Sequence, residues 1–548
     1  MKRVSSLLLC VVLLLSLCSC AAARYKEAAS VLETTSLAAD GTYAVTEELL
    51  VALENAPYSA PKSVIFMIGD GMGFNVVEAA QIAYADRLYG GTLAMRQLPY
   101  HGSSITYSAD NHVTDSAAGA TALATGYKTS NSTVSMNADD TLPYMTTLEL
   151  AAQQGKSTGV VATKSVTDAT PAGFTAHVGA RTQQTEIAGQ QLKAMLDGSL
   201  DVVLGGGRSY YAAHKPSDSG VNYAETWEDT QTAALPLLGL YADAAMDTTD
   251  ESLPTVAEMT WLALERLSSD EDGFFLMVEG SQIDTFAHSN VLEDSMRELY
   301  DFDCAVAVAM RYVALHPDTA LIVTADHETG GLNLPDALSK ETLGDCYYST
   351  TSHSCKTVPV FAVGHGTRAL ARVQENTDLA AFTAALLGEE TFGRSSTPLT
   401  VFDGADDALM ESLLELNAPD QGEPFATEGD EAVQVTFSKN ESTLRFAVGD
   451  CGDDMLPQAV RLRVKNNGDT LLEPPMLMLD IGAYSVLPTV ATPAVEPGET
   501  AELVYVLAHN EREEVADSLQ QIDLMAFVQE AVSVDILSLE LLCRPMGE

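Results

Sequence analysis

Acidic, hydroxyl and imidazole side chains recur along this sequence at spacings that metal-assisted chemistry could use. The stretch "VTDSAAGATALATG" (113–126) sets Asp115 and Ser116 before a run of small residues. Asp and Ser are preferred helix caps, because their oxygens accept from the unpaired first-turn N–H groups. A second reading is a serine on an anion-binding helix end, with small neighbours that let a substrate and metals come close. Asp284 and His288 lie four residues apart. On a helix they share one face and could grip one ion, or form a plain surface pair. Asp326 and His327 are adjacent, and in a regular strand they would point to opposite faces. They ligate together only if the chain is already leaving the strand, which the following "ETGG" permits; a polar turn is the alternative. His353 precedes the apolar run "VPVFAVG" and His365 follows it, so the two compete as a further imidazole. Asp70 in "IGDGMG", Asp168, Thr170 and Arg181 in "TDATPAGFTAHVGAR", and Glu279 in "VEGSQIDTFAHSN" complete the candidate set.

Such residues work only if strands and helices carry them to one place. Short apolar runs at 63–70, 158–163, 201–207, 274–280, 321–327 and 358–364 read as buried strands, with helix-length segments such as 291–315 between several of them. That alternation predicts an α/β domain with a mostly parallel central sheet flanked by helices. Such sheets bind ligands beyond the C-terminal ends of their strands, and Asp70, Glu279, Asp326 and His327 all fall at those ends. From about 431 the texture turns to alternating segments separated by turn signals such as "NNGD" and "EPGE", the pattern of an all-β sandwich domain. The expected organisation is a signal peptide over 1–23, a polar lead-in over 24–60, the α/β domain over 61–392, an acidic linker over 393–430 and the β-sandwich over 431–548.

The chain has 548 residues and a formal net charge of −48. That excess argues against nucleic acid or an anionic membrane as partner for the body of the protein. Any phosphate site must therefore carry strong local positive charge. Lys2 and Arg3 precede an apolar run from Leu7 to Leu17, an export signal too short to span a bilayer. Two endings stay open. "LCSC" resembles a lipoprotein box and favours a lipid anchor on Cys20; "AAA" at 21–23 suits ordinary signal peptidase. Either implies an exported chain, as a cell-surface lipoprotein or a secreted or periplasmic protein. Beyond the signal, Cys346 and Cys355 are close enough in sequence to pair, Cys451 and Cys543 bracket the C-terminal part, and Cys304 reads as a buried free thiol in a helix. Spacing does not fix connectivity.

Taken together, "DGMG", "TDSAAGATA", "DATPA" with its downstream "HV" and Arg181, "VEG" with Asp284 and His288, and "TADHETGG" make the chain resemble the alkaline phosphatases of bacterial type, over about residues 60–392. The resemblance implies two zinc ions, one held by Asp284, His288 and His353, the other by Asp70, Asp326 and His327 with Ser116 completing it. It implies one magnesium ion held by Asp70, Asp168, Thr170 and Glu279. Mixed imidazole and carboxylate donors suit zinc, and an all-oxygen set suits magnesium. Ser116 would be the nucleophile that forms a phosphoserine, Arg181 the phosphate clamp, and Asp115 the residue that positions the arginine. The implied activity is hydrolysis of phosphate monoesters with inorganic phosphate as product. A homodimer comes with the resemblance, while the oligomeric state stays open. One departure is Thr285, where some relatives carry lysine, so the third metal is expected to carry more of the positive charge. The competing readings are a phosphodiesterase or other phosphoryl-transfer member of the same superfamily, and a cell-surface binding protein that uses the domain as a scaffold.

Overall fold

The computed structural model describes residues 22–33, 45–335, 337–389 and 391–393, and, from 433 to 545, the strands and some of their turns. The export signal with Cys20, nearly all of the 393–430 linker and a Cys451–Cys543 bridge lie outside the described residues.

The run "SVIFMIG" is apolar and β-branched, and it forms β1 (Ser63–Gly69), buried at every position. Burial on both faces is what a central strand with helices on either side requires. With it run β2 (Tyr100–Ile105), β3 (Ser157–Ser165), β4 (Val202–Gly206), β5 (Asn222–Ala224), β6 (Leu237–Ala242), β7 (Phe274–Gly280), β8 (Thr319–Thr324), β9 (Val358–Val363) and β10 (Val373–Glu375). They form one ten-stranded sheet in the order β10-β2-β9-β8-β1-β7-β3-β4-β6-β5. All neighbours pair parallel except those of β9, which runs antiparallel to both β8 and β2. The expected α/β class with a mostly parallel sheet is what the chain adopts.

Alternate residues of β1 feed two cores. Ile65 and Met67 face one layer, and Val64, Phe66 and Ile68 the other. The helices that bear on the site are α1 (Ser116–Thr125), α2 (Ala169–Thr175), α3 (Gln282–His288) and α4 (Leu292–Leu315). In α4 the buried Leu299, Phe302, Val306, Met310 and Val313 recur at three- and four-residue steps, one apolar face laid on the first core. Leu123 of α1 and Phe174 of α2 belong to the second core.

The lead-in is more structured than its composition suggests. Residues 22–33 and Glu47–Asn55 are helices, with Ala28, Leu32, Leu49 and Leu53 buried. The Tyr25 hydroxyl donates to the Ala314 carbonyl of α4 at 3.1 Å. Small alanines at helical spacing, with few large apolar residues, made this face hard to read.

Between β8 and β9 the chain makes two short antiparallel ribbons, Glu328–Thr329 with His353–Ser354 and Leu332–Asn333 with Tyr347–Tyr348. They return His353 to the end of β8. Cys346 borders one ribbon and Cys355 the other, and the two thiols are not bridged to each other. Cys304 is likewise unbridged, and half-buried on α4.

In the C-terminal part, two four-stranded antiparallel sheets are described. One holds Val433–Phe437, Val532–Pro545, Met455–Asn466 and Thr500–Val506, and the other Thr443–Ala447, Gln521–Ala526, Leu477–Ile481 and Tyr484–Val486. Buried Tyr505 of the first sheet donates through its hydroxyl to the Leu477 carbonyl of the second at 3.4 Å. Facing sheets of this kind agree with the expected all-β sandwich.

Candidate metal centre

The sheet order sets up a row of charged groups. Ile68 of β1 sits opposite Thr324 of β8 and Glu279 of β7, and Glu279 sits opposite Ala162 of β3. Neighbouring strands are about 4.8 Å apart. Asp326, Asp70, Glu279 and Lys164 therefore follow one another across the C-terminal edge of β8, β1, β7 and β3. Gly71, at φ +72°, turns the chain sharply after Asp70; a Cβ there would lie 2.9 Å from the Asp284 Cα. Its N–H donates to Asp326 Oδ1 at 3.2 Å. The glycines after β1 thus let α3 and the end of β8 close on Asp70.

The histidines declare their protonation. His288 Nδ1 lies 2.6 Å from the Thr351 carbonyl and His353 Nδ1 lies 2.8 Å from the Thr114 carbonyl. A carbonyl only accepts, so each Nδ1 carries a proton and each ring turns its Nε2 the other way. Those Nε2 atoms stand 3.0 Å apart, and 3.2 and 3.5 Å from Asp284 Oδ1. His327 Nδ1 lies 3.2 Å from Thr329 Oγ1, whose own proton goes to Asp284 Oδ1 at 2.6 Å. His327 Nε2 then faces Ser116 Oγ at 3.1 Å, Asp326 Oδ2 at 3.2 Å and Asp70 Oδ1 at 3.5 Å. With those nitrogens unprotonated, they and the carboxylate oxygens beside them form a cluster of acceptors that a cation would join. Imidazoles held through the far N–H in this way are the usual form of metal-binding histidine.

Two donor sets gather within 4.8 Å: Asp70, Asp326 and His327, and Asp284, His327 and His353. His288 joins the second through its contacts with Asp284 and His353. Asp70 Oδ1, Asp326 Oδ2 and Thr170 Oγ1 are buried with no hydrogen-bond partner. Burial, then the charges of Asp326 and Asp284, push Asp70 well above the usual carboxylate range. Burial likewise pushes Glu279 up to about 8 and, with Asp284, Asp326 to about 6. His327 is driven well below the ordinary imidazole range by burial and by the neighbouring His353. These acids cannot all ionise together without a cation among them.

Asp115 serves as cap and as brace. Its Oδ1 accepts from the Ala118 and Ser132 N–H groups, each at 3.0 Å, and its Oδ2 accepts from Arg181 Nη1 at 3.1 Å. Ser116 is the first residue of α1 and is buried. Arg181 Nη2 donates to Asp168 Oδ1 at 3.2 Å, a second brace that the sequence did not suggest. Lys164, at the end of β3, places its ammonium 3.1 Å from Asp168 Oδ2. Burial opposes that charge, but Asp168, and then Asp70, Asp284 and Glu279, hold it above the ordinary lysine range. Asp168 in turn sits below the usual carboxylate range: burial works against it, and Lys164 and Arg181 outweigh burial.

Every candidate residue from the sequence therefore comes to one end of the sheet, and His353 rather than His365 faces the cluster. The third oxygen set is looser: Asp70, Asp168 and Glu279 do not gather within the same 4.8 Å among the described residues. Lys164 and Thr329 went unnoticed in the sequence. The signal for Lys164 was a lysine at the end of an otherwise apolar strand, four residues before Asp168.

A mostly parallel α/β sheet with imidazole and carboxylate groups gathered beyond its strand ends defines a protein whose sheet edge could hold divalent metals. The alkaline phosphatase family profile matches residues 61–232 and 227–344, and the chain belongs to that family. Alkaline phosphatase 3 of Bacillus subtilis is 36% identical over 292 residues, 50% of this chain and 62% of that protein. Streptomycin-6-phosphate phosphatase of Streptomyces griseus is 34% identical over 418 residues, 62% of this chain and 93% of that protein. The solved alkaline phosphatase of the Antarctic bacterium TAB5 is 32% identical with a TM-score of 0.54, covering 61% of this chain and 99% of its own. The match spans 62% of the length of each of the two Bacillus subtilis alkaline phosphatases, 3 and 4.

Proposed function

We propose that this chain hydrolyses phosphate monoesters through a phosphoserine on Ser116, at a centre of two zinc ions with magnesium as the ion of the third position. The observation that carries the reading is the set of three imidazoles whose Nδ1–H groups are engaged while their Nε2 lone pairs face buried carboxylates. The donors fit zinc: nitrogen and oxygen, neutral rings, and acids short of a cation. Asp284, His288 and His353 would hold one ion, and Asp70, Asp326 and His327 the other. When bound, a metal pair lowers the pKa of a coordinated hydroxyl and offsets charge on both in-line oxygens of a phosphoryl transfer.

The chain's own residues account for the rest. Ser116, fixed at the start of α1, presents Oγ on the His327 side of the cluster. Its Oγ forms the bond to phosphorus as the bond to the ester oxygen breaks, and the serine proton is lost to the medium or to the leaving alcohol. Water then cleaves the phosphoserine, giving inorganic phosphate and restoring the hydroxyl. Arg181 offers two N–H groups to two non-bridging oxygens, and Asp115 and Asp168 aim it. Alanines and Gly119 behind Ser116 leave room for the ester. Arg181, Lys164 and the metals supply the positive charge that the acidic surface denies to an anionic substrate. Export, with a lipid on Cys20, is part of the same reading and is supported by the N-terminal signal pattern.

The test compares p-nitrophenyl phosphate with bis-p-nitrophenyl phosphate, with and without chelator, in the parent and in Ser116→Ala. The expected result is chelator-sensitive monoester turnover, little diester turnover, and a Ser116→Ala protein that keeps its zinc but loses most activity. Preference for the diester would favour the phosphodiesterase reading. Zinc without turnover on either ester would favour a binding scaffold.

A further inference from the structure

Lys164 is the basic member of the row that otherwise runs Asp326, Asp70, Glu279 across the sheet edge. Three contacts fix it there. Its ammonium is 3.1 Å from Asp168 Oδ2. Its backbone N–H donates to Ser281 Oγ at 3.2 Å, and that hydroxyl donates to Glu279 Oε2 at 2.6 Å. The other oxygen of Asp168 is already engaged, by Arg181 Nη2 at 3.2 Å and the Ala169 N–H at 2.8 Å. Two of the three carboxylates assigned to a third metal are thus tied to Lys164, one through its side chain and one through its backbone. Thr170 Oγ1, two residues after Asp168, is buried and has no hydrogen-bond partner.

We propose that the Lys164 ammonium is a resident cation of the third position, so that a divalent ion binds there only by displacing it from Asp168. The proposal builds on the metal-dependent phosphatase reading. A fixed ammonium repels an incoming dication and competes for the same oxygen. It also holds Asp168 Oδ2 in place while Oδ1 braces Arg181. Lys164 acts through Asp168 and is a positioning residue.

The experiment titrates magnesium into zinc-loaded protein by calorimetry, in salt strong enough to screen the acidic surface. The unmutated protein should bind magnesium weakly, with a dissociation constant in the millimolar range or above. Lys164→Met, which keeps the stem and removes the charge, should bind it roughly tenfold tighter or more, as removal of a contacting like charge implies. Lys164→Arg should stay weak. A merely structural lysine would leave magnesium affinity unmoved or lower it. The proposal is overturned if Lys164→Met binds magnesium no tighter than its parent, or if the unmutated protein binds one magnesium at micromolar concentration and loses it in Asp168→Asn. The second measurement decides the matter even if Lys164→Met does not fold. A protein that loads two zinc ions and turns over monoester, yet shows either of these outcomes, sinks the lysine proposal alone. A protein that takes up no zinc sinks the phosphatase reading beneath it.

Discussion

Arg181 shows how much a single residue's setting adds to its type. The family resemblance implies a phosphate clamp positioned by Asp115; in the fold Arg181 contacts Asp115 through Nη1 and Asp168 through Nη2. Arg181→Ala should weaken inhibition by inorganic phosphate about 10–100-fold, from the ~1.5–3 kcal/mol typical of hydrogen bonds to charged groups. Zinc content should not change, and unchanged phosphate inhibition would remove the clamp. The candidate donors were legible as a group because metal chemistry demands particular side chains, and the acids and imidazoles at strand ends stand out from the apolar runs before them. Lys164 was not, because a lysine at a strand end ordinarily reads as a solvated terminus. Only the neighbour relation of β3 and β7, a fact of sheet order, brings it among the acids. Thr329 was hidden for the same reason, since its work is to join His327 to Asp284, two groups distant in sequence.

Among the elements, α1 is the one whose composition and purpose agree best. Every residue from Ser116 to Thr125 is buried, and Gly119 faces the end of β8. A Cβ at Gly119 would lie 2.9 Å from the Asp326 carbonyl oxygen and 3.2 Å from Asp326 Cβ. Gly119→Ala should therefore shift Asp326 and cost about 1–3 kcal/mol of overpacking. The expected readout is partial loss of zinc and a lower melting temperature, against an unchanged Gly344→Ala, where nothing lies within 4 Å of the added carbon. Full zinc in Gly119→Ala would show that the helix can yield. Six of the ten sheet strands were legible from short apolar runs and β2, β5, β6 and β10 were not, while the start of α4 was legible to within a residue. Strand order and the reversal of β9 were not, because buried parallel and antiparallel strands share one composition. The helices at 22–33 and 47–55 were missed because their buried face is made largely of alanine.

For the molecule as a whole, every candidate donor lies between Asp70 and His353, and the first domain's last described contact is local. A Cβ on Gly126 would lie 2.6 Å from Gly393 Cα, so the chain is still packed against α1 at Gly393. A protein ending at Gly393 should keep its zinc and its monoester turnover within about twofold of the full chain, a margin inside ordinary surface-mutation effects. Loss of metal would show that the C-terminal sheets support the site. One consequence belongs to time rather than to space. The donors sit at the end of β1, on α3, at the end of β8 and on the ribbon that carries His353, segments far apart along the chain. Asp284 and His288 meet within one helix turn and Asp326 and His327 are adjacent, but neither set is completed until long loops have closed, a slow and entropically costly event. A nascent or refolding chain therefore offers an ion at most these local pairs. If the chain holds the proposed metals, firm uptake comes only after β8, β1 and β7 have assembled, which puts metal capture among the last acts of folding. A chain carried unfolded across a membrane would meet its metals only on the far side.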